Sequence, residues 1–169
     1  PRLFLFLGSS MGNFTPTQSV ALLREIRAAM GPGDSLVLGL DLKKDAGLLN
    51  RAYADAQGVT AAFNLNLLER INRELGGQFE PERFRHVAFY NEAQGRIEMH
   101  LESTVSQIVP VEALGRSFSL HRGERIHTEN SYKYDREQVV RLLGQAGLAL
   151  RRQWLDAKGW FSLTLAGPA

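Results

Sequence analysis

Three stretches of this chain carry residue types that could do chemistry. Gly8-Ser9-Ser10-Met11-Gly12-Asn13 follows an apolar run, Leu3 to Leu7. Its two glycines let backbone approach a ligand closely, and the Asn13 side chain offers both a donor and an acceptor. Taken alone, this stretch reads as an ordinary strand-to-helix loop. The second stretch, Ile126 to Lys133, is unusually polar, and strand alternation would put Glu129 and Ser131 on one face. A carboxylate beside a hydroxyl could grip an N–H-bearing ring such as imidazole. On the residues alone a solvated loop is the favoured reading. The third set is the histidines, His86, His100, His121 and His127, which fall in separate predicted strands. With no His-x-His or HxxxH pair and no cysteine, they read as structural or solvent-facing residues, and no metal is expected.

Other catalytic patterns carry no reading here. Gly8-Ser9-Ser10-Met11-Gly12 has the letters of G-x-S-x-G, with Ser10 central, but a Ser-His-Asp hydrolase is not the reading taken from this stretch. No lysine follows the glycines as a phosphate loop requires. GxGxxG, the first turn that cradles a nucleotide, is missing from the chain.

The elements that must position these residues are legible from periodicity. Leu3 to Leu7 is apolar on both faces and suits a central parallel strand covered by helices on each side. Ligands of such sheets sit beyond the strands' carboxyl ends, where Gly8 to Asn13 falls. Thr15 as N-cap, Pro16 at the first helical position and Gln18 in a capping box predict a helix. It carries Leu22, Leu23, Ile26 and Met30 inward and stops at Gly31-Pro32-Gly33. Ser35 to Asp41 then gives a second buried strand, completing a parallel crossover unit.

From about Asp45 the pattern changes. A short helix carries Tyr53 near its end. Thr60 is the expected cap of a longer helix with Phe63, Leu67, Ile71 and Leu75 in an apolar stripe. Asn64, Asn66 and Asn72 on that helix are either solvated or hold neighbouring loops. Period-two alternation around Val87 and Phe89, and again at Ile97, Met99 and Leu101, predicts an antiparallel hairpin. Ser117–His121 and Arg125–Glu129 predict a further strand pair around Gly123. Asp135, with Gln138, caps a closing helix ended by Gly147. Leu148–Leu155 and Trp160–Leu165 form a final antiparallel hairpin. The expected organisation is an α/β core in residues 1–44 and 134–169, with an inserted α+β lobe at 45–133.

A chain of 169 residues with 44% apolar and 9% aromatic residues can bury a real core. Its net charge of +2, with no basic tract, gives no case for nucleic-acid or membrane binding. The absence of cysteine excludes disulfides and thiolate chemistry and fits a cytoplasmic setting. No obligate protein partner is evident. A chain that enters its most buried strand almost at once implies further sequence upstream of Pro1.

Several segments together resemble the L-histidine Nα-methyltransferases of ergothioneine biosynthesis. They are Gly8 to Phe14, Gly39 to Asp45, Ala52 to Asp55, Gly58 to Leu75, Arg96 to Leu101 and Thr128 to Ser131. The resemblance runs in order over essentially the whole chain, and the Gly58–Leu75 block is its most distinctive part. It spans the C-terminal half to two-thirds of that family's length. The resemblance implies a partial Rossmann-like methyltransferase core that uses S-adenosylmethionine (SAM), with an added substrate-binding lobe. The family's reaction places three methyl groups on the α-amine of histidine, giving hercynine. By motif, Asn13 and Tyr53 look like the residues that hold the amino-acid end of L-histidine. Glu129 and Ser131 look like its imidazole contacts, with Met99 packing beside the ring, and Gly8 lies where the loop would approach SAM. No catalytic base is implied among these residues. Most of the SAM site is expected upstream, so the chain alone is expected to be inactive. The alternatives are a related N-methyltransferase acting on a tryptophan-derived amine and a non-catalytic amino-acid-binding module.

Overall fold

The structure, a computed structural model, describes residues 1–169. In chain order its elements are β1 (Leu3–Phe6), α1 (Pro16–Ala29), β2 (Ser35–Asp41), α2 (Ala46–Tyr53), α3 (Val59–Leu75), β3 (Phe84–Asn91), β4 (Arg96–Ser103), β5 (Gln107–Val111), β6 (Arg116–Leu120), β7 (Arg125–Tyr132), α4 (Arg136–Gln145), β8 (Leu148–Leu155) and β9 (Phe161–Pro168). They divide into two compact units: residues 1–45, 91–96 and 130–169 form one, and residues 46–90 and 97–129 the other. No helix is long and apolar enough to cross a membrane.

The first unit is an α/β layer built on a four-stranded sheet in the order β1-β2-β9-β8. β1 runs parallel to β2, in register from Leu3 opposite Ser35 to Phe6 opposite Leu38. β9 runs antiparallel to both β2 and β8. Both helices of this unit start on full capping boxes. Thr15 Oγ1 accepts the Gln18 N–H at 3.3 Å while Gln18 Oε1 accepts the Thr15 N–H at 2.9 Å, and Asp135 and Gln138 repeat the arrangement at 2.8 and 3.0 Å. Leu23 of α1 and Val139, Leu142 and Leu143 of α4 close over Leu36, Leu38 and Leu40 of β2, with Phe4 and Phe6 packed alongside.

β1 departs from the expectation of a strand covered on both faces. Leu3, Leu5 and Leu7 are 59, 61 and 49% exposed. In this chain β1 is an edge strand, and α1 and α4 bury the same face of the sheet, the one bearing Phe4 and Phe6. Alternation then leaves the leucines on the other face.

The second unit holds α2, α3, most of the three-stranded sheet β3-β4-β7, and the β5–β6 hairpin. Its cores are Leu68, Phe84, Leu101, Val109 and Leu120, and a smaller group of Leu49, Ile97 and Met99. Three expectations are corrected here. β6 pairs with β5, from Gln107 opposite Leu120 to Val111 opposite Arg116, and β7 joins β4 instead. β5 is masked in sequence by Pro110, which an edge strand tolerates and a periodicity search reads as a break. The strand expected at Arg125–Glu129 runs on to Tyr132, so residues 130–132 are strand and not the solvated loop.

Finally, α3 begins at Val59, not after Thr60. The Asp55 carboxylate accepts the N–H groups of Thr60 and Val59, both at 2.9 Å, and these bonds, with the Thr60 side chain, hold its pKa down at about 2. The apolar stripe of α3 is turned largely outward, with Phe63 at 66% exposure, while Leu68 and Asn64 face inward. Asn64 is satisfied there, since its amide donates to His100 O at 3.1 Å and lies 3.0 Å from His86 Nδ1. Asn72 clamps the following loop, donating to Phe79 O at 2.7 Å and accepting the Phe79 N–H at 2.8 Å.

Candidate functional site

In the first unit the candidate residues collect at the carboxyl ends of β1 and β2. The chain leaves β1 through Gly8 and Ser9, both at positive φ (76° and 60°), a conformation that costs a serine more than a glycine. One helical turn, Ser10–Asn13, follows, with the Gly12 N–H donating to Ser9 O at 2.9 Å. Two bare glycines fit this turn to its neighbours. A Cβ on Gly39 would lie 3.0 Å from the Phe161 ring and 3.5 Å from Gly8 N. A Cβ on Gly12 would lie 2.9 Å from Tyr132 O and 3.5 Å from Ser131 Oγ. The structure therefore brings the turn carrying Gly8 and Asn13 against the end of β7 that carries Ser131. Gly8 and Asn13 are exposed and Ser131 is buried.

Beneath Ser131 lies a group that the sequence did not single out. The Lys133 side chain is 0% exposed, with Nζ 2.7 Å from Asp41 Oδ2. The same ammonium donates to Ser131 Oγ at 2.8 Å. The other Asp41 oxygen takes Lys44. Backbone bonds tie the same corner: the Tyr134 N–H donates to Asp41 O at 3.0 Å and the Lys43 N–H to Tyr134 O at 2.9 Å. Burial pushes the Tyr134 hydroxyl pKa up, and that hydroxyl donates to Met11 O at 3.3 Å. Burial would also raise the Asp135 pKa, but its bonds with the Lys43 ammonium and the Gln138 N–H hold it below the ordinary value. The only sequence signal for Lys133 was its spacing of two from Ser131.

In the second unit Tyr53, at the end of α2, packs with Met99 of β4 around Leu49 and Ile97. Met99 is 3% exposed. Tyr53 is fixed through its main chain by His86, whose Nε2 lies 2.9 Å from Tyr53 O. With Asn64 donating at the other ring nitrogen, Nε2 carries the proton and donates to that carbonyl. Glu129 lines a separate hollow of about 200 Å³ with Phe63, Asn66 and Arg70 of α3 and Thr128. Met99 and Tyr53 do not line that hollow. Glu129 and Ser131 are two residues apart in β7 and so share a strand face.

The sheet also assembles what spacing in sequence hid. Ligand atoms of Glu98, His100 and His127 lie within 4.8 Å of one another. The His100 ring is stacked between Phe89 (5.5 Å, 3°) and His127 (4.7 Å, 21°). Two histidines that read as separate residues in sequence are thus brought together in a ring stack with the Glu98 carboxylate close by. Nearby, Glu102 is clamped by Arg125 and Arg85, and those hydrogen bonds lower its pKa.

The family model for histidine-specific, SAM-dependent methyltransferases matches residues 1–168. The chain is 47% identical over 165 residues to histidine N-alpha-methyltransferase of Mycolicibacterium smegmatis, covering 98% of this chain and 51% of that protein. It is 48% identical to the Mycobacterium tuberculosis protein of the same name, with the same coverage. The chain thus spans about half the length of these curated relatives. Among solved structures, the CcbJ methyltransferase from Streptomyces caelestis superposes with a TM-score of 0.51 at 13% identity, over 99% of this chain and 60% of that one, which speaks to fold alone. The match along nearly the whole chain, on a sheet of methyltransferase type, identifies the chain as a member of the histidine-specific, SAM-dependent methyltransferase family.

Proposed function

We propose that the protein transfers methyl groups from SAM to the α-amine of L-histidine, ending at the trimethylated product hercynine. The observation that carries this reading is the acidic and hydroxyl pair Glu129 and Ser131 on one face of β7, in a chain whose family is histidine-specific. The turn after β1 suits a cofactor. Gly8 is exposed, and a side chain there would meet only Ser10 Oγ, at 3.7 Å, so its backbone is open to a close-lying group. When bound, SAM supplies a methyl group on a positively charged sulfur.

The chain's own residues orient and select. Asn13, exposed on the turn, holds the amino-acid end without a charge that would keep the amine protonated. An amine must be neutral to offer its lone pair, and alignment is the main contribution a protein makes to such a displacement. The Tyr53 ring offers an aromatic face that tolerates the growing, finally quaternary cation. Glu129 accepts a ring N–H and disfavours side chains that would leave its carboxylate unpaired.

The test is calorimetric titration of the protein, as its gene encodes it, with L-histidine, L-tryptophan and SAM. Glu129→Ala is expected to weaken histidine binding by roughly tenfold to a hundredfold, the worth of a hydrogen bond to a charged group, with SAM affinity unchanged. Equal losses for both ligands would make Glu129 structural. Tighter binding of tryptophan than histidine would refute the substrate.

A further inference from the structure

We propose that His86 is a positioning residue for the reaction. It holds the main chain of Tyr53, and with it the placement of the Tyr53 side chain, through a ring tautomer that Asn64 dictates. All of these residues lie in the second unit. The proposal rests on the reading of Tyr53 as a substrate contact.

Tyr53 is the last residue of α2, a helix of eight residues. Helices that short are marginal on their own, and their last carbonyls have no partner within the helix. Where Tyr53 sits therefore depends on what grips that end from outside. β3 grips it at points one helical turn apart. The Tyr90 N–H donates to Asn50 Oδ1 at 2.7 Å, and His86 Nε2 lies 2.9 Å from Tyr53 O. The second contact is a hydrogen bond only if Nε2 carries the ring's proton.

Asn64 decides where that proton is. Its amide nitrogen donates to His100 O at 3.1 Å, and a carbonyl oxygen only accepts, so the amide cannot turn over without losing this bond. The same nitrogen lies 3.0 Å from His86 Nδ1 and must donate to it, which leaves Nδ1 bare and the proton on Nε2. A relay of donors thus runs from α3, through the imidazole, to the end of α2. Replacing a buried polar pair by apolar side chains of the same shape is close to neutral for stability. A fully satisfied network, by contrast, fixes a single arrangement. Placement of Tyr53 accounts for a histidine at this position where stability does not.

The experiment compares the parent protein, as its gene encodes it, with His86→Gln, His86→Asn, Tyr53→Ala and the double variant of His86→Asn with Tyr53→Ala. NMR of the parent's imidazole nitrogens should show His86 protonated at Nε2. Protonation at Nδ1 overturns the proposal and leaves the substrate reading standing. Glutamine keeps a donor near the place of Nε2, and the shorter asparagine does not reach it. In calorimetric titration with L-histidine, His86→Asn is expected to lose about fivefold in affinity, the worth of one hydrogen bond, and His86→Gln much less. SAM affinity should be unchanged in both. In the Tyr53→Ala background, His86→Asn should add no further loss. Losses that multiply there, equal losses for asparagine and glutamine, or equal losses for histidine and SAM would make His86 structural and overturn the proposal. If His86→Asn does not fold, His86→Phe, which keeps the volume of the ring, is read in the same way. A Tyr53→Ala variant that binds histidine as tightly as the parent refutes the reading of Tyr53 and this proposal with it.

Discussion

Gly12→Ala tests how the turn after β1 is seated. Gly12 has an ordinary backbone conformation, since its φ is not among the positive ones, so alanine meets no Ramachandran penalty. What it meets is space: the new Cβ would lie 2.9 Å from Tyr132 O, 3.3 Å from Tyr132 N and 3.5 Å from Ser131 Oγ. The first two are backbone atoms of β7, so relief requires the strand end or the turn to move by roughly half an ångström, since carbon prefers about 3.5 Å or more. Overpacking of this kind costs about 1–3 kcal/mol. At roughly 2–4 °C of melting temperature per kcal/mol for a domain of this size, the midpoint should fall by several degrees. Urea unfolding supplies the free energy and differential scanning calorimetry the midpoint. If Ser131 is a ring contact, as proposed above, histidine affinity should fall as well, because the displaced atoms flank it. An alanine variant within about 0.5 kcal/mol of the parent, the ordinary range for a harmless surface change, would show that the turn is not packed on β7 as described.

Other expectations follow from the same kind of reading. Gly144 in α4 has nothing within 4 Å of a built Cβ and no positive φ, so Gly144→Ala should stabilise by about 0.5–1 kcal/mol in urea unfolding. Asn72→Ala removes both bonds to the Phe79 backbone and should cost about 1–3 kcal/mol, with Asn72→Asp intermediate because it keeps the acceptor. Asp34 accepts the Gly31 and Arg2 N–H groups and the Arg2 guanidinium, which together lower its pKa from 3.8 to about 2. A folded-state value below the unfolded one stabilises above the unfolded pKa and is lost as pH falls through the folded one. The melting-temperature gap between parent and Asp34→Asn should therefore be constant above about pH 4 and close toward pH 2. A gap unchanged at pH 2 would refute the assignment.

Local signals were the ones that could be read from sequence. Thr15 with Gln18 and Asp135 with Gln138 announce helix starts because both partners of each capping box lie within one turn. The parallel β1–α1–β2 unit and the closing β8–β9 hairpin follow from short connections between apolar runs. What failed depended on distant partners. Asn64 stays open between a solvated and a tethering residue until β3 and β4 bring His86 and the His100 carbonyl to it, and Phe63 looks like core until nothing covers it. Sequence order pairs β6 with β7, because nothing local reveals that β5, with Pro110 inside it, is the true partner. Among the candidate residues, Ser131 is visible through alternation with Glu129. Lys133 is not, because a lysine near a strand end reads as solvated unless its carboxylate, 92 residues away at Asp41, is already in view.

That last pair has a consequence for how the sequence can drift. Asp41 gives one oxygen to Lys44 and the other to Lys133. Replacing it alone would take a carboxylate from a buried ammonium, so single steps at this position are costly. A newcomer that fills the volume of Lys133 leaves Asp41 with Lys44. Among descendants of this chain, change at position 41 should therefore follow change at 133 and never precede it, an ordering that a reconstructed lineage would display.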